Sequence, residues 1–215
     1  MPERLTFNVG GRTSTALAYA AAGGERSNAT LVLAHGAGAP QQSAFMVGFA
    51  RGLADLGVDV VTFNFLYTEQ RRRVPDRTEA LDACYRAAIG AARQHVGRDT
   101  VFIGGKSMGG RIATHLAAAD DAVALGIAGV VLLGYPLHPP GKPDQPRAAH
   151  LPRIRVPMLF VQGERDPFGT RTNFAGCWSR SPASSRCTSS RREITRSRHR
   201  VRRQRSPRRT ANCRM

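Results

Sequence analysis

The feature that most constrains this chain is a short glycine-rich stretch, GGKSMGG, at residues 104–110. Residues 100–103 (TVFI) before it are typical of a β-strand, and residues 111–119 after it favour a helix. A strand that turns directly into a helix, with the pattern G-x-S-x-G over residues 105–109, is the arrangement called a nucleophile elbow. The stretch therefore predicts a strand, a sharp turn and a helix in immediate succession.

Glycines on both sides of Ser107 suit this geometry, because so tight a turn strains the serine backbone and brings strand and helix close together. Ser107 is therefore the candidate nucleophile. The letters Gly-Lys-Ser also end a phosphate-binding P-loop, but Thr100 stands where that loop requires its first glycine. The remaining alternative is a glycine-rich turn without chemistry, since the G-x-S-x-G pattern is short and common.

The chain has two parts of different composition. Residues 1–170 contain 18 lysines and arginines against 14 acidic residues, whereas residues 171–215 contain 14 arginines, no lysine and one acid. The second part thus carries +13 of the formal net charge of +17. The first part is long enough to bury roughly two-thirds of its unfolded surface. In the second part the apolar residues follow neither a strand nor a helix period, so we expect residues 171–215 to be a disordered basic tail.

The cysteines and the N-terminal residues bear on the cellular compartment. Three of the four cysteines lie in the tail, and only Cys84 lies in the first part, within a helical pattern. This distribution predicts neither a disulfide framework nor a metal site. No basic segment followed by an apolar one opens the chain, and no apolar run reaches about 18 residues. We expect a cytoplasmic protein that contacts no membrane.

Predicted strands and helices alternate along the first part. Helices are expected at about residues 42–56, 76–95 and 111–119, with Asp76 as the cap of the second. Strands are expected at residues 5–9, 16–20, 29–34, 58–63, 100–103, 127–133 and 156–161. This alternation predicts an α/β protein with a doubly wound, mostly parallel sheet.

Chemically useful residues follow the ends of four predicted strands. They are residues 35–38 (HGAG), Ser107, residues 134–138 (GYPLH) and residues 163–166 (GERD). In doubly wound sheets the reactive groups lie beyond the carboxyl ends of the strands, where the loops meet. We therefore expect these four segments to converge at one edge of the sheet.

Five segments together give the chain a family resemblance. They are LVLAHGAGA, NFLYTEQRRRVPDR, FIGGKSMGGRIA, GYPLHPPGKP and VPMLFVQGERDPFG, all within residues 1–169. On these segments the chain resembles the α/β-hydrolase family, and within it the small dienelactone-hydrolase-like members related to the hydrolase-like subunit of the NSL chromatin complex. The resemblance implies the α/β-hydrolase fold and a triad of serine, acid and histidine in that chain order, with backbone amides that bind an oxyanion.

The resemblance also implies roles for individual residues. Ser107 matches the nucleophile, and Asp166 matches the acid that would orient the imidazole of the triad. The alternative for Asp166 is a turn residue before a proline, for which aspartate is well suited. The amides of Ala37 and Met108 match the oxyanion hole. No metal or organic cofactor is implied.

Five further polar features receive no catalytic role. His35 is expected to be a structural partner of its own loop. His138 and His150 precede the acid, contrary to the triad order, and are expected in surface loops. Lys106 is expected to face solvent or to pair with an acid. The segment Arg71-Arg72-Arg73 is expected to be a solvated loop, with contact to an anionic substrate or partner as the alternative.

The triad histidine is not obvious. His199 is the only histidine after Asp166, and it lies among arginines with no predicted strand before it. Residues 193–198 can be encoded as GAG ATC ACT CGT TCA AGG, which reads Asp-His-Ser-Phe-Lys two bases later and resembles the histidine loop of the family. We therefore hypothesise that residues 171–215 are an out-of-frame translation that begins near Thr170. The hydrolase domain at residues 1–170 would then lack its last strand and helix.

The sequence thus predicts a serine hydrolase that acts on a small ester, thioester or lactone through an acyl-serine, with its activity impaired because the triad histidine is missing. The alternative is a non-catalytic hydrolase-like scaffold or binding protein whose basic tail binds nucleic acid non-specifically. Neither the substrate nor the oligomeric state follows from the sequence.

Overall fold

The computed structural model describes residues 1–23 and 26–169 and the backbone of residues 185–190. Within them, eight strands form one sheet. The strands are β1 (Glu3–Val9), β2 (Arg12–Tyr19), β3 (Ala29–Ala34), β4 (Asp59–Phe63), β5 (Thr100–Lys106), β6 (Ile127–Leu133), β7 (Met158–Gly163) and β8 (Ser185–Ser190). The helices are α1 (Ala44–Asp55), α2 (Leu66–Glu69), α3 (Thr78–Val96) and α4 (Met108–Ala117), with a 3₁₀ turn at Leu151–Arg153.

The strand order across the sheet is β1-β2-β4-β3-β5-β6-β7-β8. The pairs β1–β2 and β2–β4 are antiparallel, and the strands from β4 to β8 run parallel to one another. The order reverses between β3 and β4, so right-handed crossovers place α1 on one face of the sheet and α3 and α4 on the other. The predicted doubly wound, mostly parallel sheet is confirmed.

Hydrophobic packing on both faces explains why the central strands are almost entirely apolar. All but the first residue of β3 are buried, as a strand covered on two sides requires. On the α1 face, Met46 and Ala50 pack with Leu31 and Leu33. The larger cluster, on the α3 and α4 face, includes the fully buried Tyr85, Ile89, Ile103 and Ile112. No helix in the described ranges is both long and apolar enough to cross a membrane.

The structure corrects two predicted boundaries. Strand β5 continues to Lys106 and α4 begins at Met108, so the turn between them is the single residue Ser107. Helix α3 begins at Thr78, with Arg77 rather than Asp76 at the cap position and no side-chain cap bond. The carboxylate of Asp76 instead accepts a hydrogen bond from the guanidinium of Arg72, which competes for the oxygen that a cap would use.

One strand follows β7 in the sheet, beyond the last strand that the sequence predicts. The backbone of β8 pairs with β7 in parallel, from Met158 opposite Ser185 to Gly163 opposite Ser190. The letters SRCTSS show no strand pattern, but an open strand edge pairs through backbone N–H and C=O groups, which every sequence supplies. These six residues lie within the segment that the sequence predicts to be a disordered tail. The rest of the predicted tail lies outside the described residues.

Candidate active site

Ser107 occupies a strained backbone position between β5 and α4. Its φ of 49° and ψ of −112° lie where residues with a side chain are rarely found. Its N–H donates to the carbonyl of Leu133 at 2.9 Å, and its own carbonyl accepts the N–H of Arg111 at 3.1 Å. The end of β6 and the first turn of α4 therefore fix this half-buried serine at the carboxyl edge of the sheet.

The glycines of the elbow allow α4 to lie directly on the end of β3. A Cβ atom on Gly109 would stand 2.5 Å from the carbonyl oxygen of Ala34 and 2.6 Å from that of His35, and one on Gly105 would stand 2.6 Å from that of Ala34. This approach brings the segment after β3 to the elbow, since a Cβ on Gly36 would lie 3.6 Å from the Cβ of Ser107. Residues 35–38, after β3, and Ser107, at the elbow, therefore lie next to each other.

His35 holds the segment after β3 in place. Its imidazole is fully buried, and Nε2 accepts the N–H of Phe65 at 3.2 Å. Nδ1 therefore carries the proton and donates to the carbonyl of Gly36 at 2.8 Å. Burial lowers the pKa of His35, so its ring is neutral near pH 7. This geometry matches the expected role as a structural partner of its loop.

Two backbone amides beside Ser107 donate to no acceptor in the part of the chain that the structure describes. The exposed Ala37 follows Gly36, and its N–H donates to none of the described residues. The N–H of Met108 belongs to the first residue of α4 and so has no acceptor within the helix. Both amides lie at the edge of the sheet that carries Ser107, where an anionic oxygen could accept hydrogen bonds from them.

Asp166 lies in the turn after β7, and both of its carboxylate oxygens are engaged. Oδ1 accepts a hydrogen bond from the N–H of Phe168 at 2.9 Å, and Oδ2 accepts one from Nε2 of Gln162 at 2.9 Å. The side chain of Gln162 also donates to the carbonyl of Gly169 at 2.7 Å and accepts the N–H of Tyr135 at 2.9 Å. Gln162 thus fixes the carboxylate and joins the turn after β7 to the loop after β6.

Gln162 was not singled out from the sequence. It is only 1 % exposed, although β7 is otherwise an apolar strand. The sequence does contain a signal for Gln162, which is a polar residue inside an apolar strand. Because a buried amide needs hydrogen-bond partners, such a residue indicates a contact with a neighbouring loop.

Ser107 and Asp166 lie at the same edge of the sheet, separated by the end of β6. The order β5-β6-β7 places them two strand spacings apart, which is about 10 Å between the strand ends. Gly134 lies between them, and a Cβ on it would stand 3.3 Å from Oδ2 of Asp166. Across such a gap the two side chains can cooperate only through a bridging group such as an imidazole. His199, the sole histidine after Asp166, lies outside the described residues.

Lys106 and His150 make contacts that the sequence does not predict. Nζ of Lys106 stands 4.5 Å from the ring centroid of Phe45, a cation–π contact rather than an ion pair with an acid. His150 lies in the loop before the 3₁₀ turn, as expected, but it is half-buried against α4, where its ring stacks on that of His115 with centroids 4.1 Å apart. Nε2 of His150 lies 2.8 Å from Oγ1 of Thr114.

His138 and the arginines at residues 71–73 lie at or near the surface. His138 is half-buried, with Nδ1 2.9 Å from the carbonyl of Pro139 and its ring 6.3 Å from that of Phe168. The three arginines at 71–73 are exposed, as expected for a solvated loop. Within the described part of the chain, no three His, Cys, Asp or Glu side chains gather in a way that could hold a metal ion.

A family model described as an alpha/beta hydrolase domain matches residues 27–209. The chain belongs to this α/β-hydrolase domain family. The match covers the elbow, the segment after β3 and the turn after β7, and it extends into the basic tail.

Solved structures share the fold of this α/β hydrolase. An alpha-beta serine hydrolase homologue from Coxiella burnetii has a TM-score of 0.69 at 18% identity, over 87% of this chain and 86% of that chain. A dienelactone hydrolase from Anabaena variabilis has a TM-score of 0.70 at 19% identity, over 89% and 86%. XC6422 from Xanthomonas campestris, an a/b serine hydrolase without lid, has a TM-score of 0.62 at 19% identity, over 87% and 85%. At these identities the likeness establishes a common fold.

Proposed function

We propose that this α/β hydrolase is built for acyl transfer, with Ser107 as the nucleophile toward an ester, thioester or lactone. The observation that carries the proposal is the backbone of Ser107, which is held in a strained, left-handed conformation between β5 and α4. Strain of this kind persists where the surrounding structure imposes it, commonly at functional sites. Asp166 at the same edge would orient the imidazole that takes the serine proton.

The amides of Ala37 and Met108 would form the oxyanion hole. Ser107 Oγ attacks the carbonyl carbon, its proton passes to the imidazole, and the carbonyl oxygen becomes an oxyanion. Collapse of this intermediate expels the alcohol or thiol, which takes the proton, and leaves an acyl-serine for water to hydrolyse. Each aligned amide lowers the barrier by roughly 3 kcal/mol, because it points to the developing charge before the reaction begins.

We further propose that the printed chain has impaired activity because residues 171–215 are an out-of-frame translation from near Thr170. Their 14 arginines against one acid, and the shifted reading of residues 193–198 as a histidine loop, support this origin. The family match to residue 209 and the pairing of β8 with β7 favour the opposite view. Sequencing the gene across the codon of Thr170, with the intact mass of the native protein, decides between them: an in-frame gene and a matching mass would end the proposal.

A hydrolysis assay on two forms of the protein tests the proposed chemistry. One form is the printed chain, and the other has the shifted frame restored after Thr170. We expect the restored form to hydrolyse a p-nitrophenyl ester about 10³- to 10⁶-fold faster, since a serine without its base keeps only binding and oxyanion stabilisation. Ser107→Ala in the restored form should remove this gain, whereas Ser27→Ala should not. Equal rates in the two forms would contradict the assignment of the base to the restored segment.

A second candidate function is non-specific binding of nucleic acid by the tail. The observation that favours it is the charge of +13 within residues 171–215. Such a segment would attract phosphate irrespective of base sequence, with strong salt dependence.

A further inference from the structure

A chain of hydrogen bonds joins the residues after β4 to the residues after β3. We call residues 35–41 the oxyanion segment, because they contain Ala37, whose amide is proposed to bind the oxyanion. His35 and Gln41, at the two ends of this segment, are both fully buried, whereas Ala37 and Gly38 between them are exposed. The position of the exposed part therefore depends on how the two buried ends are held.

The first end is held by residues near the start of α2. Nε2 of His35 accepts a hydrogen bond from the N–H of Phe65 and lies 3.2 Å from Oγ1 of Thr68. The other ring nitrogen, Nδ1, donates to the carbonyl of Gly36, the residue before Ala37. The imidazole of His35 thus connects residues 65–68 to the beginning of the oxyanion segment.

The second end is held by Asn64, the residue that follows β4. Oδ1 of Asn64 accepts a hydrogen bond from the N–H of Gln41 at 3.0 Å. Nδ2 of Asn64 donates to Oε1 of Glu69, the last residue of α2, at 3.1 Å. Because a carboxylate can only accept hydrogen bonds, Glu69 requires the NH₂ group of Asn64 to face it. The oxygen of the same amide is then left facing the N–H of Gln41.

Thr15 of β2 provides a second link between Glu69 and Gln41. The N–H of Thr15 donates to Oε1 of Glu69 at 3.1 Å, and the hydroxyl of Thr15 donates to the same oxygen. That hydroxyl accepts a hydrogen bond from Nε2 of Gln41 at 2.9 Å, and Oε1 of Gln41 accepts one from the hydroxyl of Thr62 at 3.3 Å. Both links from Glu69 to Gln41, through Asn64 and through Thr15, therefore begin at one carboxylate oxygen.

We propose that Glu69 is a positioning residue for the oxyanion hole. It acts through Asn64 and Thr15 on Gln41, and so fixes the direction of the Ala37 N–H. This inference rests on the proposed function, because it concerns the amide proposed to bind the oxyanion. A catalytic group that is displaced by about 1 Å loses on the order of 10²-fold in rate, so the anchoring of this segment bears directly on catalysis.

Steady-state kinetics with a p-nitrophenyl ester test the proposal in the form whose frame is restored after Thr170. We expect Glu69→Leu to lower kcat about 10- to 100-fold and to change KM by less than about twofold, because the Ala37 amide stabilises the transition state rather than the bound ester. Glu79→Leu is the matched control, since Glu79 is an exposed glutamate on α3. Urea unfolding of each variant ensures that rates are compared on folded protein.

A paired substitution tests the direction of the hydrogen bonds. Asn64→Asp keeps an acceptor for the N–H of Gln41 but places a second carboxylate against Glu69, so kcat should fall as it does in Glu69→Leu. Combining Asn64→Asp with Glu69→Gln supplies a donor opposite the new carboxylate and should restore most of kcat. A kcat that is unchanged in Glu69→Leu, or that falls equally in Glu79→Leu, would overturn the proposal.

Amide hydrogen exchange of the full printed chain tests the anchoring without requiring turnover. We expect Glu69→Leu to speed exchange of the Gln41 N–H about tenfold or more, because its acceptor is no longer held in place. The N–H of Gly134, which donates to Val161 at 2.9 Å, is the reference and should not change. Unchanged exchange at Gln41 would also overturn the proposal. A restored parent without Ser107-dependent hydrolysis would instead contradict the proposed function, so the two fail separately.

Discussion

Stability is most sensitive to substitution at positions where two backbone segments pack together without room for a side chain. Gly109 is such a position, because α4 rests there on the carbonyls of Ala34 and His35. We expect Gly109→Ala to lower the free energy of unfolding by about 3 kcal/mol, since the added methyl forces α4 away from β3. Urea unfolding of the variant against the parent protein measures this difference.

Gly48 provides the matched control for that substitution. It lies within α1, and a Cβ there would meet nothing within 4 Å. Gly48→Ala should raise the free energy of unfolding by about 0.5–1 kcal/mol, because alanine loses less backbone entropy in a helix than glycine. If both alanine variants shifted stability by the same amount, close contact at Gly109 would not be the cause.

His150 makes stability depend on pH. Burial, followed by the charges of His115, Arg111 and Arg153, lowers its pKa to about 4, whereas an unfolded histidine titrates near about 6.5. Between these values the unfolded chain binds more protons, so stability falls as the pH falls from about 6.5 to about 4. Burial lowers the pKa values of His115 and His35 as well, so they add to the same trend.

We expect His150→Gln to make this acid-induced loss of stability smaller by about 1–2 kcal/mol, a figure that solvent screening limits. Urea unfolding at pH 7, 5.5 and 4 provides the measurement. His138→Gln is the control, because that residue lies outside the stacked pair. An unchanged pH dependence in His150→Gln would show that the stack does not carry the effect.

The local geometry that could be predicted from the sequence is that whose signal is contiguous in the chain. Ser107 was recognisable because the strand, the glycines and the helix around it are contiguous in the chain. Gln162 and the stack of His115 on His150 depend on partners brought together by the fold, across 27 residues between Gln162 and Tyr135 for example. No short pattern in the sequence encodes such a contact.

Among the elements, the turn after β7 depends on its link to the loop after β6. Gln162→Leu removes the bonds of this buried amide to Asp166, Gly169 and Tyr135. We expect a loss of about 2–4 kcal/mol in the free energy of unfolding, because buried polar groups lose their partners. Gln94→Leu on the exposed side of α3 should change stability little. Equal effects in chemical unfolding would mean that the amide does not hold the turn.

The elements themselves were largely predictable, with instructive exceptions. Strand β3 was bounded correctly because burial on both faces demands an apolar run with sharp ends. The cap of α3 was misplaced because Arg72 takes the carboxylate of Asp76, a contact that propensity does not include. Strand β8 escaped notice because its pairing uses backbone groups rather than side-chain pattern.

The whole molecule combines a nearly balanced first part with a strongly basic end. Residues 191–215 carry 11 arginines and one acid. We expect the full chain to bind DNA without base preference, with an affinity that falls steeply as salt rises. A chain that ends at Ser190 should lose most of this binding while it keeps β8. Fluorescence anisotropy over a salt series measures both, and equal affinity of the two chains would place the binding elsewhere.

The central claim is that Ser107 is a reactive nucleophile, and covalent labelling tests it most directly. The measurement is the reaction of a fluorophosphonate with the form whose shifted frame is restored after Thr170, followed by mass spectrometry of the labelled peptide. We expect one phosphonyl group, located on Ser107 and absent from Ser107→Ala. Label distributed over other serines, or a Ser107 that stays unmodified while the folded protein is exposed to excess reagent, would contradict it.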